Sequence, residues 1–137
     1  MPGRTWSCFL IAVALVVAAL FVEAQKQSAT PAAGSPERGK TFFQRDCAIC
    51  HTVGRGKQIG PDLLGVTRRR SHRWLVAMIQ HPGELMRRHD PIAVALFKKY
   101  AVEMPDLHVN DAERDDLIAY FEAETAAHEK TAASKQE

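Results

Sequence analysis

The sequence predicts an all-α fold of about four short helices joined by long loops. Apolar residues recur at three- and four-residue spacing in several segments that begin with capping residues. No segment alternates apolar and polar residues between hairpin turns, so no strand is predicted. Glycine and proline residues recur at short intervals after His51, which excludes a long helix there.

The first predicted helix begins at an N-cap and ends near Asp46. Ser35 followed by Pro36 is a favourable pair for an N-cap and a first helical position. Phe42 and Phe43 give the helix an apolar face. This face predicts packing against the rest of the domain.

The second and third predicted helices occupy the middle of the chain. Ser71 caps the second, which ends near Gln80, before a proline. Asp90 and Pro91 begin the third, which ends near Ala101.

The last helix has the strongest start signal. Asn110 and Glu113 form a capping-box pattern, and acidic residues occupy the first turn near the positive end of the helix dipole. The apolar periodicity ends near Ala126. Residues 127–137 are polar and are predicted to be a disordered tail.

The N-terminus has the layout of a secretory signal peptide. Arg4 precedes fifteen uncharged residues, 8–22, that include no proline or glycine, and Ala24 ends a plausible cleavage site. The alternative is an uncleaved membrane anchor, but a bilayer core of roughly 30 Å needs about 20 apolar residues. We therefore predict removal of residues 1–24.

The rest of the chain divides into a linker and one domain. Residues 25–34 have a polar, proline-containing composition without apolar periodicity, which predicts a flexible linker before a domain at 35–126. The formal net charge is +2, which argues against a nucleic-acid binder. This total hides a net +5 over residues 51–90 and a net −7 over 101–137.

The chemistry is concentrated in Cys47-Ala48-Ile49-Cys50-His51, which is the c-type haem attachment pattern. Thiols three residues apart at a helix end lie on one face and add to the two haem vinyl groups, and the adjacent imidazole reaches the iron. A thioredoxin-like redox pair would need a βαβ context, and a zinc site would need two more ligands. Covalent haem c would also complete a core that four short helices leave small.

Several residues could supply the second axial ligand of the iron. Met104 is favoured because it lies in an irregular segment directly before Pro105, which restricts the local backbone and offers no competing N–H. Met78 falls on the apolar stripe of the second helix, where core filling is the default, and Met86 has charged neighbours. The histidine alternatives are His72, His81, His89, His108 and His128.

Taken together, these motifs resemble those of the class I c-type cytochromes, which bind a single haem. The resemblance runs from about residue 39 to 121 and includes Gly39-Lys40 with Phe43, the haem motif, Gly60-Pro61-Asp62-Leu63, Trp74-Leu75, Met104-Pro105 and Asp116-Leu117-Ile118-Ala119-Tyr120-Phe121. It implies the cytochrome c fold. Between Trp74 and Met104 the chain is longer than in the smallest bacterial members, which leaves the partner open.

The resemblance also implies particular contacts. The carbonyl of Pro61 would accept the second N–H of His51, and the first helix, at Gly39 and Phe43, would cross closely against Leu117 and Tyr120 of the last helix. At most one or two of four arginines would pair with the haem carboxylates, and the candidates are Arg68, Arg69, Arg70 and Arg73.

Ligation by His51 and Met104 would fill both axial positions and favour one-electron exchange over catalysis. We therefore predict an exported, periplasmic electron carrier of a respiratory chain, and not an enzyme. Its partners would be a reductase or terminal oxidase, including membrane-bound ones, to which the basic stretch would steer it. The alternatives are a haem sensor or small peroxidase-like enzyme with a labile sixth ligand, and a subunit of a membrane-bound oxidoreductase complex tethered by residues 1–24.

Overall fold

The structure is a computed structural model that describes residues 34–135. The helices are α1 Pro36–Phe42, α2 Val66–Arg69, α3 His72–Gln80, α4 Pro82–Arg87, α5 Pro91–Tyr100 and α6 Asp111–Ala133, and a π-helical segment, Phe43–Cys47, continues α1. Over this part of the chain there is no strand, only an isolated bridge between Thr52 and Asp62. The signal peptide and nearly all of the linker predicted above lie outside the described residues.

Helices α1 and α6 cross in close contact and form the centre of the core. A Cβ placed on Gly39 would lie 2.0 Å from the carbonyl oxygen of Asp116 and 2.8 Å from Cβ of Tyr120, so only glycine allows this approach. The ring of Phe43 lies 5.6 Å from that of Tyr120 and 6.0 Å from that of Phe121. The close crossing implied by the resemblance is therefore confirmed.

A buried carboxylate joins the start of α1 to α6. Asp116 accepts hydrogen bonds from the backbone N–H of Ser35 at 2.6 Å and from two nitrogens of Arg38, each at 2.7 Å. The hydrogen bonds from Arg38, opposed by burial, hold the pKa of Asp116 below its usual range.

All four predicted N-caps are confirmed. In each case the side chain accepts a hydrogen bond from a backbone N–H two or three residues later, and the caps are Ser35, Ser71, Asp90 and Asn110. Asn110 also forms the reciprocal capping box with Glu113.

Two short helices have no counterpart among the predicted ones. Pro82 ends the second predicted helix, but it is also the first residue of α4, since proline is favourable at that position. Helix α2 begins after Gly65, which has a φ of +69° and acts as the N-cap. Both helices are one to two turns long, which is too short for apolar periodicity to reveal them.

The last helix is longer than predicted. It ends at Ala133, so the end predicted near Ala126, and the disorder predicted beyond it, are wrong for residues 127–133. These residues are exposed and include three alanines, one glutamate and one lysine, which favour helix without any packing. We find no helix within residues 34–135 with the length and apolar character needed to cross a bilayer.

Candidate functional site

A cleft formed by two adjoining cavities, of about 390 and 350 Å³, opens beside the core. These volumes are typical of sites for organic ligands. The residues that line both cavities are His51, Pro61, Met78, Leu96, Tyr100 and Met104. The walls thus come from the loop after the haem motif, from α3 and α5, and from the loop between α5 and α6.

The haem motif forms a tight turn at the end of the π-helical segment. The backbone N–H groups of Cys50 and His51 both donate to the carbonyl of Cys47, at 3.0 and 2.9 Å. Cys47 lines the first cavity, Cys50 the second, and His51 both. The turn therefore presents all three side chains to the same cleft.

The two thiols of the motif are free. No disulfide joins Cys47 to Cys50, and burial raises the pKa of the Cys47 thiol to about 11. A thioredoxin-like pair would need a lowered thiol pKa, so this environment does not favour that alternative. In residues 34–135 no group of three or more His, Cys, Asp or Glu side chains could hold a metal ion, so a zinc site also lacks support.

The imidazole of His51 is held in one orientation by its neighbours. Its Nδ1 lies 2.9 Å from the carbonyl oxygen of Pro61, to which the ring N–H donates in the tautomer that leaves Nε2 unprotonated. A Cβ on Gly60 would lie 2.7 Å from Cε1 of the ring, so the chain can pass the imidazole here only as glycine. The other ring nitrogen, Nε2, is thereby left available to a metal.

Gln58 also supports this turn, although no pattern in the sequence indicates this role. Its side-chain amide donates to the carbonyl of Ile49 at 2.7 Å and to that of Ala48 at 3.3 Å. These are the two residues between the cysteines. A glutamine in a glycine-rich loop has no distinctive pattern, so only the folded loop reveals this contact.

Met104 lies in the loop between α5 and α6 and lines both cavities. Met78 also lines both, and Met86 lines the second, so these two methionines border the cleft and are not simply core filling or surface. All six histidines lie among the described residues, and His51 alone of them lines either cavity. The structure therefore brings Met104, but none of the alternative histidines, to the cleft.

Cationic side chains border the first cavity. Arg69 and Arg70 line it, whereas Arg68 lies 3.6 Å from Glu129 and neither Arg68 nor Arg73 lines the cleft. The guanidinium of Arg70 packs over the ring of Trp74 at 5.5 Å, which orients it.

Two lysines that were not predicted join this cationic border. Lys57, from the loop after the haem motif, and Lys99, from α5, both line the first cavity. They lie 6.0 and 5.4 Å from the ring of Tyr100. They could not be predicted because they come from segments that only the fold brings together.

These features fit a covalently attached haem. One free thiol borders each cavity, and an imidazole with one nitrogen engaged lines both, as do the thioethers of Met78 and Met104. The remaining walls are largely apolar, with cations at one side. Such a donor set suits an iron porphyrin that carries two carboxylates.

Comparison with known proteins identifies the family. A family model described as Cytochrome c matches residues 36–123, which is more than half of the chain. The site and the fold together define a haem-binding electron-transfer protein. The chain belongs to the cytochrome c family, whose members hold covalently attached haem c.

Three individual proteins are similar to this chain in sequence or in fold. A cytochrome c-553-like protein of Synechocystis sp. is 39% identical over 46 residues, which is 34% of this chain and 44% of that protein. The match thus spans less than half of that relative. A cytochrome c domain of a Pseudomonas putida protein is 42% identical, with a TM-score of 0.58 over 64% of this chain and 88% of that one. A cytochrome c from Rhodothermus marinus is 24% identical, with a TM-score of 0.64 over 67% of this chain and 78% of that one. The predicted all-α cytochrome c fold is confirmed.

Proposed function

We propose that this chain is an exported monohaem c-type cytochrome that carries single electrons between redox proteins. The observation that supports this most strongly is the cleft, which is lined by Cys47, Cys50 and His51 from one segment and by Met104 from another. When bound, haem c supplies an iron that alternates between Fe(III) and Fe(II) and so takes up and releases one electron.

In this proposal the thiols of Cys47 and Cys50 form the two thioether links to the porphyrin. Nε2 of His51 and Sδ of Met104 would hold the iron. The Pro61 carbonyl, which lies 2.9 Å from Nδ1, keeps the imidazole in the correct tautomer and makes it a stronger donor. An iron held by both of these side chains would leave no position open for a substrate, which favours electron transfer over catalysis.

The cationic border of the first cavity supports a role in charge balance. Four cations line this cavity: Arg69, Arg70, Lys57 and Lys99. The carboxylate of Asp62 also lines it, but that group already accepts hydrogen bonds from backbone N–H groups. The arginines are well suited to pair with haem carboxylates. Cations that remain exposed would steer the protein to an acidic surface on a reductase or oxidase, at rates that fall with ionic strength.

Ligation is tested by the spectrum of the ferric protein. Ferric wild type should be low-spin, show the weak far-red band of Met-ligated haem, and bind cyanide slowly. Met104→Ala should lose the band, bind cyanide rapidly and have a lower reduction potential, since thioether ligation raises the potential. Met86→Ala is the matched control, because Met86 lines one cavity only, and it should keep the band.

The outcomes separate the alternatives. High-spin wild-type iron that binds cyanide or CO at once would instead support a haem sensor or a small peroxidase-like enzyme. A band that survives in Met104→Ala would show that another residue is the ligand.

Export and haem content are tested together by mass spectrometry of the protein isolated from its host. We expect a chain that begins at Gln25 with one haem added. A chain that begins at Met1 would contradict cleavage and would favour a membrane-tethered subunit of a larger complex. A mass without haem would contradict the whole proposal.

A further inference from the structure

We infer that Gln80 is a positioning residue that keeps Met104 at the cleft by holding the far end of its loop. This inference rests on the proposed role of Met104 as an axial ligand. Gln80 is the last residue of α3 and lines neither cavity, so any effect on the iron must act through the loop.

The Met104 loop, residues 102–109, has little of its own to hold it in place. No backbone-to-backbone hydrogen bond joins it to another described residue. Val109, which is 5% exposed, is its one buried residue, and Val102, Met104, Pro105 and Leu107 border the cleft. Segments with few buried contacts and exposed backbone open at low free-energy cost. The position of Met104 therefore depends on how the two ends of the loop are anchored.

The first end is anchored by the helix that precedes it. Ala101 adopts a left-handed conformation with a φ of +56°, and its N–H donates to the carbonyl of Phe97 at 2.8 Å. This is a helix C-terminal cap, and it fixes where the chain leaves α5. It does not restrain the five residues that follow Met104.

Gln80 anchors the second end. Its side-chain Nε2 donates to the carbonyl oxygen of Val109 at 3.2 Å and to the carboxylate of Asp111 at 3.0 Å. Its Oε1 accepts from Arg114 at 3.0 Å, and the Arg114 side chain, only 15% exposed, also bonds to Asp111. One side chain thus joins the end of α3, the end of the loop and the first turn of α6.

The chemistry of this contact is specific for an amide. Two N–H groups reach two acceptors while the oxygen accepts from a guanidinium, which uses both donors of a glutamine and its carbonyl. A glutamate at this position could still accept from Arg114, but it could not donate to Val109 and would repel Asp111. Leucine would remove all three bonds at similar volume.

The link also ties the loop to the wall of the cleft. Met78, two residues before Gln80 on α3, lines both cavities together with Met104. A loop end held to α3 therefore keeps a constant distance from that wall. Without the link, the carbonyl of Val109 loses its partner, and the loop gains freedom between Ala101 and Asn110.

The test uses the haem-loaded protein and the rate at which cyanide binds the ferric iron, which requires Met104 to leave. Gln80→Leu and Gln80→Glu should both raise this rate roughly three- to tenfold, the change expected when one net hydrogen bond to the loop is lost. The far-red band of Met ligation should also disappear at a lower temperature in both variants.

Thr125→Val is the matched control. Thr125 is buried, accepts from the backbone N–H of Gly65 at 2.9 Å and donates to the carbonyl of Phe121 at 2.7 Å. Its replacement by valine removes a hydrogen bond that ties a different loop to α6. It should reduce stability comparably and leave the cyanide rate unchanged.

The inference is overturned if Gln80 variants bind cyanide at the wild-type rate, or if Thr125→Val accelerates binding as much as they do. Met104→Ala, measured in the same series, tests the proposed ligand separately. If Met104→Ala accelerates binding and the Gln80 variants do not, only the role of Gln80 is wrong. If Met104→Ala has no effect, the proposed ligand and this inference are both wrong.

Discussion

Replacement of Gly39 by alanine tests how closely α1 and α6 must approach. The added Cβ would lie 2.0 Å from the carbonyl oxygen of Asp116 and 2.5 Å from its carbonyl carbon. Real Cβ atoms essentially never come within 3.0 Å of such atoms, so the helices must separate by about 1 Å. The obstacle is backbone, which cannot swing aside as the end of a side chain can.

The expected size of the effect follows from two opposing contributions. Overpacking costs about 1–3 kcal/mol, and a clash with backbone belongs at or above the upper end of that range. The change from glycine to alanine within a helix stabilises the helix by about 1 kcal/mol. We therefore expect the free energy of unfolding to fall by about 2 kcal/mol, and the midpoint of thermal unfolding by roughly 10 °C.

The measurement is denaturant and thermal unfolding of the haem-loaded protein, followed by circular dichroism. Gly83→Ala is the control, because Gly83 is also helical but has room for a side chain. A Cβ placed there would lie 4.0 Å from the nearest neighbouring atom, at the flexible end of the Arg87 side chain. This variant should be unchanged or more stable by about 0.5–1 kcal/mol. If Gly39→Ala is as stable as Gly83→Ala, the close crossing does not limit the fold and the reasoning is refuted.

Two further predictions concern buried or capping carboxylates. Asp116 has a lowered pKa, so its contribution to stability is present above about pH 4 and is lost as the pH falls through its folded-state pKa. Asp116→Asn should therefore reduce stability at neutral pH and weaken its loss below pH 4 in urea unfolding curves, and an unchanged acid profile would contradict this. Asp90→Ala removes the acceptor for the N–H groups of Ile92 and Ala93 and for the Trp74 indole, so it should lower the free energy of unfolding by about 1–2 kcal/mol. Loss of the exposed carboxylate in Glu129→Ala should have no measurable effect in the same assay, and an equal loss there would argue against capping as the cause.

Much of the helical framework was predictable because its signals are local. A serine, aspartate or asparagine at an N-cap bonds to N–H groups two or three residues away, so Ser71 and Asn110 reveal a helix start in any fold. Helix ends were less predictable. Helix α6 continues beyond its last buried residue, Thr125, because the residues there have favourable helix propensity. They carry no apolar periodicity, so that part of the helix could not be predicted from it.

The residues that we propose hold the haem were identified from the sequence where a local pattern indicates them. The spacing of Cys47, Cys50 and His51 follows from one turn of helix, and Pro105 marks Met104 as a residue of a restricted loop. The contact of His51 with Pro61 joins residues ten apart and was expected only from the family resemblance.

Contacts between distant segments required the fold. The distribution of arginine along the chain did not distinguish Arg69 and Arg70, which border the cleft, from Arg68 and Arg73, which do not. Which side of a helix faces a cavity depends on how α2 and α3 pack, and the helices carry cations on more than one side. The net charge of +5 over residues 51–90 follows from the sequence, but it could not show which of these cations border the cleft.

Local sequence patterns thus specify the haem motif, the caps and the class of fold, because each pattern involves residues within about one helical turn of each other. Packing specifies the rest. The approach of Gly39 to Asp116 and the hold of Gln80 on the Met104 loop each join residues 29 or more positions apart. Such contacts exist only after the helices have closed around the cleft, and no local pattern encodes them.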